Sequence, residues 1–219
     1  MVCRGTTLAI GLTLFALDAT EREARAQQAT SEVKATVDKV LGILKDPAFQ
    51  GPAHAKERRA RIKEVVLQRF GFAEMAKRSL GTEWAARSPA ERKEFVDLFT
   101  DLLARSYISR IEGYRGQKIA YRNESVDGDR AEVRSEIIED HDRTTIVYRL
   151  VHEPSGWQVY DLVIDGVSLV NNYRTQFGQI IGSAGYEGLV KRMQDKRASL
   201  EEEDQQERRE AGTKGPDRL

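Results

Sequence analysis

Apolar residues recur at helical spacing through the first half of the chain and again near its end. Within each of these segments the apolar positions fall three or four residues apart, so that they share one side of a helix. The spacing predicts helices over 31–44, 55–70, 72–80 and about 89–114, and two more after Gly166, the last of which runs from Tyr186 to about Arg209. Ser88 and Glu91 form a capping-box sequence around Pro89, which predicts where the longest of these helices begins.

From about Lys118 the pattern changes to an alternation of apolar and polar residues, which is the period of a β-strand. Four alternating segments follow one another, joined by short turns rich in Asp, Gly and Pro. They begin near Lys118 and Ala131 and continue over 144–153 and 157–164. Consecutive strands with tight turns predict an antiparallel meander. We therefore expect an α+β fold in which the N-terminal helices pack on one face of a strongly curved, four-stranded antiparallel sheet, with a cavity between helices and sheet.

The N-terminal segment 1–26 has the pattern of a secretory signal peptide. Arg4 precedes a short apolar stretch from Leu8 to Leu17, and an A-x-A cleavage sequence ends at Ala26. The apolar stretch is too short for a stable membrane span. The segment therefore predicts secretion, with the mature chain beginning at residue 27.

Composition limits the classes of protein to which the chain after the predicted signal peptide can belong. Its 35 Lys and Arg balance 35 Asp and Glu, whereas a nucleic-acid-binding protein normally carries a basic excess. Apolar residues make up 40%, enough for a packed core. We expect one domain over 27–199, followed by a charged, disordered tail over 200–219. The one cysteine, Cys3, lies in the predicted signal peptide, which excludes a disulfide framework.

Motifs for catalysis or metal binding are missing from the sequence. The three histidines, His54, His141 and His152, are not paired at metal-binding spacing, and neither a nucleophile elbow nor a glycine-rich phosphate loop is present. We therefore predict no metal, no cofactor and no enzymatic activity.

Two polar features keep alternatives open. Asp161 lies in an apolar strand, on the predicted face of Trp157 and Val159, where a desolvated carboxylate could act as the general base of a small-molecule enzyme. A nearby arginine or backbone amides could equally hold it in a structural role. The helix over 55–70 also carries a basic face that is either a solvated surface or a docking patch for an acidic partner or an anionic membrane surface. This face consists of Lys56, Arg58, Arg59, Arg61 and Lys63.

Two sequence blocks resemble a known family. The first is R-F-x-F-x-x-M from Arg69 to Met75, which continues through Leu80-Gly81 to Trp84. The second is V-Y-D-x-x-x-x-G-V-S-L from Val159 to Leu169, followed by Asn172 to Phe177. In combination they are similar to the MlaC family, also known as toluene-tolerance proteins, and the resemblance covers roughly residues 33–195.

The resemblance implies a periplasmic phospholipid-binding protein with an NTF2-like cone. Members of this family carry glycerophospholipid between an outer-membrane lipoprotein complex and an inner-membrane ABC transporter with an MCE-domain subunit. We expect aromatic and aliphatic residues of the predicted helices and strands to line the lipid cavity, although the same pattern is also that of an ordinary core. The candidates, placed by periodicity, are Phe99, Leu103, Tyr107, Ile111, Val133, Ile137, Tyr148, Leu150, Tyr173 and Phe177.

Overall fold

The computed structural model describes the backbone of residues 10–140 and 142–213, with side chains from Gln28 to Gln206 except at positions 141 and 204. The helices are α1 (Ile10–Lys45), α2 (Ala55–Arg69), α3 (Phe72–Leu80), α4 (Pro89–Glu112) and α5 (Leu169–Thr213). Short 3-10 helices cover Pro47–Phe49, Pro52–His54 and Gly81–Ala86. In the described ranges no helix combines the length and apolar character needed to cross a bilayer.

The predicted ends of the helices agree with local chemistry. The Ser88 hydroxyl accepts from the Glu91 amide (3.3 Å), and the Glu91 carboxylate accepts from the Ser88 amide (2.7 Å), which completes the predicted capping box. Gly81 ends α3 with φ +65°, a conformation that L side chains rarely adopt. Gly185, with φ +70°, interrupts α5 directly before Tyr186, where the sequence predicts that the last helix begins.

The predicted signal peptide at the N-terminus and the predicted disordered tail at the C-terminus both stay predictions. Residues 1–9 of the predicted signal peptide lie outside the described residues, and α1 already begins at Ile10. The predicted tail over 200–219 includes the end of α5 and residues 214–219, which also lie outside the described part of the chain.

The sheet is an antiparallel meander with the order β1-β2-β3-β4-β5. Its strands are β1 (Lys118–Asp127), β2 (Arg130–Glu139), β3 (Asp142–Glu153), β4 (Gly156–Ile164) and β5 (Val167–Ser168). The prediction of four strands was wrong by one. Asp165 and Gly166 both take positive φ and form a two-residue turn, so that Ile164 pairs with Val167 before α5 begins.

The two faces of the sheet differ in polarity. Along β2, Ala131, Val133 and Ser135 are buried, whereas Glu132 and Arg134 are exposed. We call the face of Ala131 and Val133, on which α1 packs, the inner face, and the opposite one the outer face. The alternation is the one that the sequence predicts for a sheet covered on one side.

Two apolar clusters form the core. The helix cluster joins α3, α4 and α5, and its buried members include Met75, Leu80, Phe95, Leu98, Phe99, Leu103, Phe177, Tyr186, Leu189 and Met193. The sheet cluster joins α1 to the inner face through Ala29, Val33, Ala131, Val133, Tyr148, Leu150, Trp157 and Val159. Phe70 and Leu162 pack against both, so that the clusters adjoin at these two side chains.

Candidate functional site

The predicted lining residues divide between the two clusters. Phe99, Leu103 and Phe177 are buried in the helix cluster, with Tyr107 and Tyr173 packed against it. Val133, Tyr148 and Leu150 belong to the sheet cluster. Ile111 and Ile137 are half-buried and belong to neither. The structure therefore places most of the candidates in two apolar clusters that adjoin at Phe70 and Leu162.

Aromatic rings form the centre of the helix cluster. Phe99 contacts Tyr173 edge-on at a centroid distance of 5.6 Å, and Phe95 contacts Phe177 edge-on at 5.7 Å. Tyr173 and Phe177 lie 5.4 Å apart, one helical turn from each other on α5. Edge-to-face contacts of this kind add about 0.5–1.5 kcal/mol beyond the burial of area. The rings join α4 and α5 in a continuous aromatic cluster.

Hydroxyl groups interrupt the sheet cluster. Tyr121 lies beside Ser135 in the β1–β2 register, and the neighbouring Tyr148 is buried. Burial raises the pKa of Tyr121 and of Tyr148. The Tyr121 hydroxyl and the Trp157 indole N–H are buried without a hydrogen-bond partner among the described residues. Such groups cost roughly 1–3 kcal/mol each when left unpaired, which makes them candidates for contact with a ligand oxygen.

Residues of the first sequence block, which begins at Arg69, connect α1 and the α2–α3 junction to the sheet. Arg69 donates to the carboxylate of Glu32 on α1 and to the carbonyl of Trp157 on β4. The Trp157 amide in turn donates to Glu32 (3.2 Å). The Gly71 amide donates to the carbonyl of Val159 (2.9 Å), so that the α2–α3 junction is fastened to β4. These contacts fix α1 over the inner face of the sheet.

An open cleft of about 600 Å³ lies between the outer face of β2–β4 and the helices α3 and α5. We call it the basic cleft. It is lined by Lys77, Arg78, Gly81, Thr82, Trp84, Ala85, Glu132, Arg149, Tyr160, Asp161, Val170, Asn171 and Arg174. None of the predicted lining residues faces it, and sequence reasoning did not single out its cations. The sequence signals available were Arg174, in the stretch that follows the second family block, and Arg149, which lies between apolar residues in a predicted strand.

Asp161 lies in this cleft and is fully engaged. Its carboxylate accepts from the Ser168 hydroxyl (2.7 Å), from the Val170 amide (3.0 Å) and from Arg149 (3.3 Å). The sequence placed Asp161 on the face of Trp157 and Val159, which is wrong. The register shifts at Tyr160, because Leu150 pairs with Val159 and Arg149 with Asp161, and the extra residue turns the carboxylate to the outer face. Its contacts agree with the structural alternative, in which an arginine and a backbone amide hold it.

The basic face of α2 is largely paired. Arg58 and Arg59 both contact Glu112 at the end of α4, at 2.5 Å and 3.0 Å. Lys63 contacts Asp101 on α4 at 2.7 Å, and Arg61 lies 3.9 Å from Glu57. Most of this charge therefore fastens α2 to α4 instead of presenting a patch for an acidic partner.

The structure offers no metal centre in the part of the chain that it describes, where no three potential ligand side chains come together. His54 lies in a 3-10 helix, and His152 contacts the ring of Trp157 edge-on at 4.9 Å. His141 lies outside the described residues.

Comparison with known proteins relates this geometry to a family. Residues 34–195 match the family model described as MlaC protein. The chain is also similar to the intermembrane phospholipid transport system binding protein MlaC of Haemophilus influenzae, with 27% identity over 121 residues. That alignment covers 52% of this chain and 56% of the other, so the chain spans about half the length of this curated relative.

A solved structure extends the similarity over nearly a whole protein. It is a phospholipid-binding protein from Ralstonia solanacearum, determined in complex with a phospholipid. The two chains are 28% identical and superpose with a TM-score of 0.69. The match covers 78% of this chain and 97% of the other, so the α+β arrangement described above is common to both.

Proposed function

Because the chain belongs to the MlaC family, we propose that it is a periplasmic phospholipid-binding protein that carries glycerophospholipid between the outer and inner membranes for an Mla-type ABC transporter. The observation that carries the proposal is the likeness to the Ralstonia solanacearum protein, which matches over 97% of its length and holds a phospholipid. The location rests on the predicted signal peptide over 1–26.

The physical task of such a carrier is to replace contact between acyl chains and a membrane. At about 0.8 kcal/mol for each buried methylene, two chains of roughly 15 methylenes lose on the order of 24 kcal/mol when they are exposed to water. A carrier lowers this cost by surrounding the chains with apolar side chains, and the task requires no chemical step. The proposal therefore assigns no catalytic role to Asp161, whose contacts account for its burial.

The acyl chains are proposed to lie between the helix cluster and the inner face of the sheet, inside an NTF2-like cone. The aromatic cluster of α4 and α5 would form one wall, and Val133, Tyr148 and Leu150 the other. Ile111 and Ile137 support a mouth at the end where α4 leads into β1, because both are half-buried there outside the clusters. The lining set remains the one predicted from the sequence.

The hydroxyl groups on the inner face add a polar contact to this proposal. The ester carbonyl oxygens of a phospholipid are acceptors, and the Tyr121 hydroxyl is a buried donor without a partner among the described residues. A lipid ester placed beside Tyr121 would remove the cost of leaving this hydroxyl unpaired.

The partners follow from the family. We propose that an outer-membrane lipoprotein complex and an MCE-domain subunit of an inner-membrane ABC transporter exchange lipid with this protein. A neutral chain with a largely paired α2 face supports recognition by shape and local contacts over attraction by net charge.

A lipid-capture assay tests the proposal. Protein freed of lipid is mixed with vesicles that contain a fluorescent-acyl phospholipid, and the label in the protein fraction is measured after the vesicles are removed. Wild-type protein should retain label, and Ile137→Glu should retain much less, because it places a charge at the proposed mouth. Val167→Glu is the matched strand control, since Val167 is 61% exposed. Equal capture by Ile137→Glu and wild type would contradict the proposed lining, and the absence of capture by wild type would contradict the function.

A further inference from the structure

We propose that the basic cleft binds a phosphate group, supplied either by a phospholipid head group or by a free phosphate compound. The site itself follows from the side chains that line the cleft, and only its lipid source rests on the proposed function. The cleft lies on the outer face of the sheet, whereas the proposed acyl-chain site lies on the inner side.

Charge is concentrated in this cleft, although the chain as a whole is neutral. Its cations are Lys77, Arg78, Arg149 and Arg174, and its acids are Glu132 and Asp161. Both acids already accept from Arg149, at 2.9 Å and 3.3 Å, so their charge is partly compensated inside the protein. The lining therefore favours an anion over a cation.

Several guanidinium donors in the cleft are left for a ligand. Arg149 uses its Nε and one Nη on the two acids, which leaves its second Nη. Arg78 donates through Nε to Glu74 (2.8 Å) and lies over the ring of Tyr160 at 4.1 Å, which leaves both terminal nitrogens. Arg174 is exposed and makes no ion pair or hydrogen bond with the described residues. The planar guanidinium group matches the geometry of a phosphate and can donate two parallel hydrogen bonds to two of its oxygens.

Gly81 places the free arginine. A Cβ at this position would lie 3.0 Å from the Arg174 Nε and 3.5 Å from its Cζ, so the guanidinium lies directly over the turn that ends α3. The positive φ of Gly81 makes that turn, and the absence of a Cβ leaves the space that the guanidinium occupies. A donor held against the wall of a cleft loses less freedom on binding than a side chain that extends into solvent.

The cleft also adjoins the apolar core. Val170 lines it and belongs to the helix cluster, and its amide donates to Asp161. The volume of about 600 Å³ lies in the range of small-ligand sites, which is sufficient for a phosphate with its substituent. A head group bound here would therefore lie next to the helix cluster.

Phosphate titration of the purified full-length chain tests the site. Binding of inorganic phosphate is measured by calorimetry at low ionic strength for wild type, Arg174→Gln, Arg174→Lys and Arg192→Gln. Arg192 is the matched control, because it is an exposed arginine on the same helix outside the cleft. Loss of charge-assisted hydrogen bonds predicts a dissociation constant about tenfold or more higher in Arg174→Gln. Arg174→Lys should fall between this variant and wild type, and Arg192→Gln should match wild type.

A competition experiment separates the two sources of phosphate. If soluble dihexanoyl phosphatidylglycerol displaces inorganic phosphate from wild type but not from Arg174→Gln, the head group is the source. Arg174-dependent phosphate binding without displacement supports the cleft but overturns the lipid source. Identical phosphate binding by wild type and Arg174→Gln, or an equal loss in Arg192→Gln, overturns the site.

Lipid content measured on the same samples keeps the two proposals distinct. Arg174-dependent phosphate binding in a protein that never carries lipid would leave the cleft standing and contradict the carrier function. If the protein carries lipid but its phosphate binding does not depend on Arg174, the carrier function stands and the proposed phosphate site is contradicted.

Discussion

The substitution Asp161→Asn tests whether this carboxylate, in the second family block, stabilises the fold. The carboxylate is 4% exposed and accepts from Ser168, Val170 and Arg149. Hydrogen bonds to a charged group contribute about 1.5–3 kcal/mol and neutral ones about 0.5–1.5 kcal/mol. The amide also replaces one acceptor atom by a donor. We therefore expect a loss of about 3 kcal/mol in the free energy of unfolding, or a Tm lower by roughly 6–12 °C.

Urea unfolding followed by circular dichroism measures this loss, with Asp195→Asn as the control. Asp195 pairs with Lys191 at 3.0 Å but is 64% exposed, so its change should stay within about 0.5 kcal/mol. A double-mutant cycle with Ser168→Ala should give a coupling of about 0.5 kcal/mol or more. Unchanged stability of Asp161→Asn would refute the structural role. A stable variant that had lost a turnover would instead favour the small-molecule enzyme.

Three further predictions follow from contacts elsewhere in the fold. Glu112→Gln removes the negative charge that Arg58 and Arg59 share and should cost about 1–2 kcal/mol in urea unfolding. Unchanged stability would contradict the role of these ion pairs in holding α2 to α4. Phe99→Ala removes a ring with 0% exposure and should cost about 3–5 kcal/mol, and a much smaller loss would mean that the helix cluster is not packed around it. The Ser88 contacts lower the pKa of Glu91 from 4.5, so their stabilisation is present above pH 4.5 and is lost as the pH falls through the lowered pKa. Thermal unfolding of Glu91→Gln should therefore lose less stability over that range than wild type, and identical pH profiles would contradict the assignment.

Local signals in the sequence were enough for most of the fold. The capping box at Ser88 and the glycine at Gly81 each act through their nearest neighbours, and the structure has both where the sequence predicts them. The sequence also predicts a last helix from Tyr186, and Gly185 interrupts α5 directly before it. The alternation of Ala131 and Val133 with their polar neighbours likewise identified the covered face of β2. Period and turn chemistry act over a few residues, which is the range that a single sequence reveals.

What the sequence did not reveal depends on register and on contacts between distant segments. One extra residue at Tyr160 moves the Asp161 side chain to the opposite face of the sheet, and the sequence pattern of β4 does not indicate this shift. The two-residue strand β5 follows a turn in which Asp165 and Gly166 both take positive φ, and Asp tolerates this conformation without requiring it. The pairing of Arg58 with Glu112 joins residues 54 positions apart, so the basic face of α2 could not be distinguished from a free surface.

The arrangement of the candidate site could not be predicted from the sequence either, because it depends on contacts between distant segments. Periodicity identified apolar positions such as Phe99 and Val133, but it could not show that they fall in adjoining clusters on two sides of Leu162. The basic cleft combines α3, α5 and the outer faces of β2–β4, so its cations come together only after folding.

Native mass spectrometry of the secreted, mature protein, followed by denaturing extraction of bound molecules, tests the central claim most directly. The account predicts an added mass of about one diacyl phospholipid or more that is lost on denaturation and identified in the extract. Recovery of the bare polypeptide mass after gentle purification, with no lipid in the extract, would contradict it, because the apolar surfaces of α4, α5 and the sheet would then serve only as a core.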